Sequence, residues 1–595
     1  MTDTNALSIS RPGAQDRASP TIESVSGAQK IVDAFIANGV DRVFIYPGGT
    51  IAPILDVIEF KSKIEIICPR NEQGAGYAAI AHAKLTGKPA VFMVTSGPGV
   101  TNAVTPIADA YFDNVPLVVL TGQVGMSDMR GDLPVKQRGF QEVDTVALMA
   151  PITKAAFLAK DARELPDLMA HAFFLASTGR QGPVVIDLPM NVQRATPKAA
   201  EYLPVMTRSY FAPPVDTTQI FELAQMIGEA QRPVILAGGG ALASGAEREI
   251  RKLADTCGIP VTMSLPGMGV YPSRDPLSLW LCGYAGGQYA NLAIYNSDLL
   301  IGIGTTFHLR QTGSLPEKTA PNAKIVRIEL DKNELQHSRV PLDLAINADA
   351  KEAVAALNVL LNVGQRSFGK TEVWLRQIAD WKENHYLSAM TPAHRLKPQY
   401  VIAMIDRLTA NEDVIFVTGV GQHQIWAARH CSFDYPRRQL LTSSGHGTMG
   451  FDLPAAIGAK LAQPDTKVVC IVGDGSLQMN IQELAAIAEM ELDIKIIVLD
   501  NHALNIVAQF QRQNWHSDPS TGGKYNPDFA KIAKAYGIDA VTITRPSQVE
   551  RKLGTALKRP GAVLVHCEID AKEDLLPMLL GGHTLDDMTY KSSFE

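Results

Sequence analysis

Short runs of branched apolar residues recur along this chain, each running into Gly, Pro or Asp and then into a stretch of helical periodicity. They include VFIYPGG (43–49), AVFMVTSGPG (90–99), LVVLTGQ (117–123), VVIDLP (184–189), VILAGGG (234–240), LLIGIG (299–304), VIFVTGVG (414–421), VVCIVGDG (468–475) and IIVLDN (496–501). A strand with helices packed on both faces has no solvent side to alternate with, so unbroken apolar runs between helices predict buried parallel sheets. The expected fold class is α/β throughout. In such sheets ligands gather at the carboxyl ends of the strands, where the Gly-rich ends of these runs fall.

At 595 residues the chain has room for about three to five domains. Two stretches, 192–216 and roughly 364–396, carry Pro and charge without a strand signal and divide it into thirds. The expected organisation is a loose arm over 1–24, then three parallel-sheet α/β domains at 25–191, 217–363 and 397–595. No sequence repeat is visible among them. Apolar residues at 46% and charged residues at 19% exclude a disordered, collagen-like or coiled-coil chain. The net charge of −6 comes without any long basic block, so small molecules rather than nucleic acid are the expected partners. No apolar run approaches the roughly 18 residues that cross a bilayer, and residues 1–24 lack the apolar core of a signal peptide or anchor. Cys68, Cys257, Cys282, Cys431, Cys470 and Cys567 lie far apart without a C-x-x-C pair. Reduced thiols in a cytoplasm are expected, not a disulfide framework or a zinc site.

The segment 468–510 carries the most chemistry. One strand ends at Gly473-Asp474-Gly475, a helix starts near Ser476, and after 24 intervening residues the next strand ends at Asp500-Asn501. That spacing fits one βαβ unit, so Asp474 and Asn501 end neighbouring strands. One carboxylate and one amide oxygen can share a hard cation whose other ligands are a carbonyl, a water and two diphosphate oxygens, the open arrangement Mg²⁺ prefers. Gly473 and Gly475 let phosphates approach the backbone, and the helix start at Ser476 adds donors. A lone G-D-G is more often a plain strand-to-helix turn; the matched second half reverses that judgement.

This pairing resembles the thiamine-diphosphate fingerprint, which usually ends in Asn-Asn. Asp500 stands for the first of those asparagines, Asn501 keeps the ligand position, and the resemblance makes the Ala503 carbonyl a further ligand. Thiamine chemistry requires a carboxyl group at the pyrimidine N1′ to favour the basic imino form. In IEIICPRNEQGAGYAAIAHA (64–83) the family carries an Arg-His-Glu-Gln-like string, so the resemblance makes Glu72 that group, although a Glu in a first helical turn is commonly there for the helix dipole. YPGGT (46–50) and TSGPGVTN (95–102) match positions around the pyrimidine, which implicates Pro47, Gly48, Thr95, Pro98 and Asn102 in coenzyme binding. SGHGTMGFDLPAA (444–456) resembles the string whose bulky apolar residue bends the coenzyme, with Met449 in that place and Gly447 beside it. By the same resemblance Gln422 and His423 of GVGQHQ (419–424) contact the diphosphate. In the family the Glu and the metal belong to different subunits, which implies a homodimer or homotetramer.

The likeness runs over nearly the whole chain after residue 25 and is strongest to the catalytic subunits of acetolactate (acetohydroxyacid) synthases. It rests further on GFQEVD (139–144), ITK (152–154), GDGSLQMNIQEL and PMLLGGHTLDDM (577–588). It implies decarboxylation of pyruvate and carboligation of the hydroxyethyl unit to a 2-oxo acid, with Phe140 and Gln141 flanking the substrate pocket and a regulatory small subunit left open as a partner. Departures occur at several places. The family's Gly-Met-Val-x-Gln-Trp reads Asn505-Ile506-Val507-Ala508-Gln509-Phe510, so Phe510 predicts a wider acceptor pocket. A Lys is replaced by Met190, and Asp452 stands where the family has Gly. In the middle domain GGG (238–240), GYAGGQYAN (283–291) and the acid ending RIELD (327–331) resemble an FAD site. The family's Gly-x-Arg-Phe-Asp-Asp-Arg, however, reads Gly304-Thr305-Thr306-Phe307-His308-Leu309-Arg310, so a bound FAD and a vestigial nucleotide fold both stay open. Two other functions also stay open: an acyloin-forming carboligase or lyase with an aldehyde or longer acyl acceptor, and a catalytically silent thiamine-fold binding subunit, against which Glu72, Asp474 and Asn501 argue.

Overall fold

The computed structural model describes residues 25–198, 210–363, 371–385, 387, 394–515 and 525–594; the arm expected over 1–24 and parts of both expected connectors lie outside them. Three six-stranded sheets, all parallel in their pairings, divide the chain between them. The first contains β1 (Arg42–Tyr46), β2 (Glu65–Ile67), β3 (Ala90–Val94), β4 (Leu117–Gln123), β5 (Ala155–Leu158) and β6 (Pro183–Pro189). The second contains β7 (Pro233–Ala237), β8 (Val261–Met263), β9 (Ser278–Leu281), β10 (Leu299–Ile303), β11 (Lys324–Glu329) and β12 (Leu344–Asn347). The third contains β13 (Val414–Thr418), β14 (Arg438–Thr442), β15 (Lys467–Gly473), β16 (Ile494–Asp500), β17 (Asp539–Ile543) and β18 (Val563–Glu568). The expected α/β class is what the chain adopts. Every residue of β4, β6 and β16 is buried, as helices on both sheet faces require.

Strand order sets where ligands can sit. The first sheet runs β2-β1-β3-β4-β6-β5 and the third runs β14-β13-β15-β16-β18-β17, the same order twice. Each reverses direction between its first and third strands, opening a crevice at β1/β3 and at β13/β15. The middle sheet runs β9-β8-β7-β10-β11-β12, the 3-2-1-4-5-6 order of dinucleotide-binding folds, with its crevice between β7 and β10.

The first and third domains share one apolar core that includes Phe44, Phe92 and Val119 from one side and Val417, Ile457 and Val498 from the other. Their seam is the helix Glu72–Thr86 lying on the helix Asp452–Ala462. Small residues allow it: a Cβ on Gly458 would lie 2.0 Å from the Ala78 carbonyl oxygen. Within the stretch 364–396 the described residues form a helix, Glu372–Asn384, which buries Trp374 and Ile378 against the middle domain. Trp374 Nε1 donates to the Pro233 carbonyl at 3.3 Å.

Candidate active site

The crevice between β13 and β15 holds a cavity, and every residue lining it lies between Val420 and Ile569. Its walls bring together nine of the residues singled out in the sequence: Gln422, His423, Met449, Gly473, Asp474, Gly475, Ser476, Asn501 and Ala503. Gly447 sits two residues before Met449, at φ +77°. Asp474, Asn501, Gln422, His423 and Ser476 are all buried. The crossover from β15 to β16 differs from the single helix expected. It holds two short helices, Asp474–Met479 and Glu483–Glu489, because Asn480 leaves helical geometry and spends its side chain on tertiary bonds. Asn480 Nδ2 donates to the Gly450 carbonyl at 2.7 Å, and its Oδ1 accepts from Asn71 Nδ2 at 3.2 Å.

At the strand ends, Asn526 joins the two carboxylates. Its Nδ2 donates to Asp474 Oδ2 at 2.6 Å and to Asp500 Oδ1 at 2.7 Å. Burial chiefly pushes the Asp474 carboxyl up, to about 6, with Asn526 opposing and the nearby Asp500 adding to the rise. For Asp500 burial also pushes upward, but hydrogen bonds from His566 Nε2 (2.8 Å), Asn526 and the His502 backbone outweigh it and hold that carboxyl below its ordinary value. Asp500 is thus anchored in the scaffold, while Asp474, Asn501 and Ala503 reach the cavity wall. A carboxylate, an amide oxygen and a carbonyl fit a divalent ion that takes its other ligands from a diphosphate. Space fits as well: a Cβ on Gly475 would meet Leu504 Cδ2 at 2.4 Å and one on Gly473 would meet His423 Nδ1 at 3.0 Å. Gln422 is held from behind, its Nε2 donating to Gln509 Oε1 (3.0 Å) and its Oε1 accepting from Asn505 Nδ2 (3.2 Å).

The residues expected around the pyrimidine lie at the carboxyl ends of β1, β2 and β3, away from this cavity's lining. Glu72 opens its helix and is buried, and its Oε2 accepts from Asn102 Nδ2 at 2.9 Å. Gly48 lies against the Thr95 side chain, whose Oγ1 shares a 2.9 Å hydrogen bond with Thr50. Pro47 and Pro98 are exposed beside them. Gln141, at φ +64°, packs on Gly97, and Phe140 is 84% exposed. Phe510 is half exposed on the helix Asn505–Trp515, edge-on to Trp515, and does not line the cavity. Within one chain, therefore, the two halves of the expected site face different spaces.

In the middle domain the strand-end loops close on each other across the β7/β10 crevice, Gly238 N donating to the Ile303 carbonyl and Gly240 N to the Gly304 carbonyl. Ser264, whose N–H donates to the Ala237 carbonyl, and Gln288, which opens the helix Gln288–Tyr295, each bury a side-chain oxygen, Oγ and Oε1, without a hydrogen-bond partner among the described residues. Such orphaned atoms at the ligand edge of a dinucleotide-type sheet fit a polar ligand.

Three family descriptions match in sequence. Thiamine pyrophosphate enzyme, N-terminal TPP binding domain, covers residues 25–148; the central domain covers 220–357; and the C-terminal TPP binding domain covers 419–567. An acetolactate synthase large subunit from Haemophilus influenzae is 39% identical over 574 residues, 95% of this chain and 98% of the relative. The chain belongs to the acetolactate synthase large-subunit family of thiamine pyrophosphate enzymes. Two further members, the Escherichia coli isozyme 3 and isozyme 1 large subunits, are 37% and 39% identical over 95% and 96% of this chain, and 99% and 98% of their own lengths. Against the family frame, sequence reading missed Asn526, in the loop before the helix Phe529–Ala535, and His566, on β18, since neither sits in a motif. Asp452 and Asn505 were visible only as departures from the family pattern.

Proposed function

We propose that this chain is a thiamine-diphosphate- and Mg²⁺-dependent enzyme that decarboxylates pyruvate and joins the remaining two-carbon unit to a second 2-oxo acid, as an acetolactate synthase does. The observation that carries the reading is the convergence of Asp474, Asn501 and Ala503 on one cavity in a chain of this family. These three would hold Mg²⁺, while Gln422, His423 and the backbone at Gly473, Gly475 and Ser476 would hold the diphosphate. The coenzyme, when bound, supplies the thiazolium carbon that takes up the acyl unit and accepts the electrons left by the departing carboxylate.

The chain's own residues prepare that chemistry. Glu72, buried and oriented by Asn102, is assigned to hold the proton at the pyrimidine N1′. Met449, on the cavity wall, is assigned to bend the coenzyme, and Leu499, Leu504, Ile506, Val507 and Ile569 give the cavity an apolar side, which favours loss of a carboxylate. Since the cavity lining contains no described residue of the first domain, Glu72 is assigned to the cavity of a second copy, in a homodimer or larger assembly. A regulatory small subunit remains a candidate partner. The orphaned Ser264 and Gln288 atoms support an FAD with a structural role in the middle domain. Among the described residues no helix is long and apolar enough to cross a membrane, and the described cysteines are all free; a cytoplasmic location is the reading they support.

The outward position of Phe510 favours a second reading of the acceptor, an aldehyde or longer acyl group in place of a 2-oxo acid. Mass spectrometry of the products formed from pyruvate, alone and with competing oxo acids and aldehydes, separates the two. Acetolactate from pyruvate alone supports the first reading. Absence of any decarboxylation refutes both.

A further inference from the structure

Asp452 is the first residue of its helix and has no exposed surface. Taking a carboxylate out of water is costly unless its lone pairs are met by donors. Here they are: Oδ1 accepts from the Gly419 backbone N–H and from His423 Nε2 (3.0 Å), and Oδ2 accepts from the Ser476 hydroxyl. The N-terminus of its own helix adds a favourable dipole. Three of the segments that build the cavity, after β13, around Met449 and after β15, are thus tied to one carboxylate. Ser476 Oγ in turn accepts from the Gly450 N–H at 2.8 Å, one residue from Met449.

The bond to His423 fixes which edge of the ring meets the cavity. An ionised carboxylate only accepts, so the Nε2 position must carry the hydrogen. The opposite edge then faces Gly421 and Gly473: a Cβ added to Gly421 would lie 2.8 Å from Nδ1 and one added to Gly473 3.0 Å from it, and both glycines line the cavity.

We propose that Asp452 is a positioning residue for the coenzyme: it holds one edge of His423, turns the Nδ1 edge to the cavity, and ties the backbone after β13 and the Ser476 hydroxyl after β15 into the shape that receives the diphosphate. The proposal rests on the reading of the site as a thiamine-diphosphate site.

The test is titration calorimetry of the full-length protein with thiamine diphosphate and Mg²⁺ and, separately, with thiamine. Asp452→Asn is expected to bind thiamine diphosphate roughly tenfold more weakly than the native protein, the scale of a charge-assisted hydrogen bond, with thiamine itself bound equally by both. Equal affinity for thiamine diphosphate overturns the positioning role and leaves the function intact. An equal loss of thiamine binding overturns it as well. Native protein that does not bind the coenzyme refutes the functional reading and this proposal with it. Should Asp452→Asn fail to fold, His423→Gln serves instead: unchanged affinity for thiamine diphosphate there overturns the proposal.

Discussion

Replacing Gly458 with Ala sets two physical effects of opposite sign against each other. Gly458 lies inside the helix Asp452–Ala462, where Ala is favoured over Gly by about 1 kcal/mol from backbone entropy alone. The added Cβ, however, would lie 2.0 Å from the Ala78 carbonyl oxygen and 2.9 Å from Ala78 Cα, on the facing helix Glu72–Thr86. Both contacts are with main chain, so no rotamer change relieves them, and the helices must separate by more than about 1 Å. Overpacking of a well-filled interface costs roughly 1–3 kcal/mol, and a backbone clash belongs at the upper end. The net expectation is destabilisation by about 2 kcal/mol. Because the displaced helix carries Glu72 at its start, turnover should fall with stability. Urea unfolding of the purified full chain, followed by circular dichroism, gives the sign directly. A variant as stable as the native chain, or more stable, would refute the claim that close main-chain packing at Gly458 holds the two domains in register.

Glu72→Gln should leave the circular dichroism spectrum unchanged and lower pyruvate consumption by about 100-fold or more, the usual scale for losing a positioned proton-transfer group; full activity would remove its assigned role. Glu483, whose two oxygens accept from the Arg70 backbone N–H, is pushed up to about 7, first by burial. The folded chain therefore binds this proton more tightly than the unfolded one, so stability falls as pH rises from 4.5 to about 7 and levels above it. Glu483→Gln should flatten that decline in unfolding measurements taken across the same window, and an unchanged slope would count against the assignment. If the middle domain holds FAD, denaturing the purified protein should release a flavin with its characteristic absorbance; a colourless protein would leave a vestigial nucleotide fold.

The central strands were legible because they are buried on both faces. All nine apolar runs named from the sequence fall on β1, β3, β4, β6, β7, β10, β13, β15 and β16. Edge strands leave a weaker signal: β5 is only four residues, Ala155–Leu158, none fully buried, and β17 is partly exposed over 539–542 and mixes Asp539 and Thr542 into the run. The shared strand order of the first and third sheets left no sequence repeat, since a buried parallel strand constrains apolar volume and not identity. In the site, the spacing from Gly473-Asp474-Gly475 to Asp500-Asn501 predicted a pairing that the parallel register of β15 and β16 delivers. Asn526 and His566 were illegible for the opposite reason. Asn526 meets Asp474 52 residues away in sequence, and His566 meets Asp500 66 away, at distances set by tertiary packing and by no local pattern. Asp452 showed itself only as a residue out of place, and its three donors became visible once the helix Asp452–Ala462 was set against β13 and β15.

The account stands on Asp474 as the one carboxylate that would fix Mg²⁺ and, through it, the diphosphate. Calorimetric titration of the native protein and of Asp474→Ala with thiamine diphosphate, with Mg²⁺ and then with a chelator, tests this most directly. The native protein should bind only while Mg²⁺ is present, and Asp474→Ala should show no Mg²⁺-dependent binding. Binding of unchanged affinity in Asp474→Ala would contradict the account.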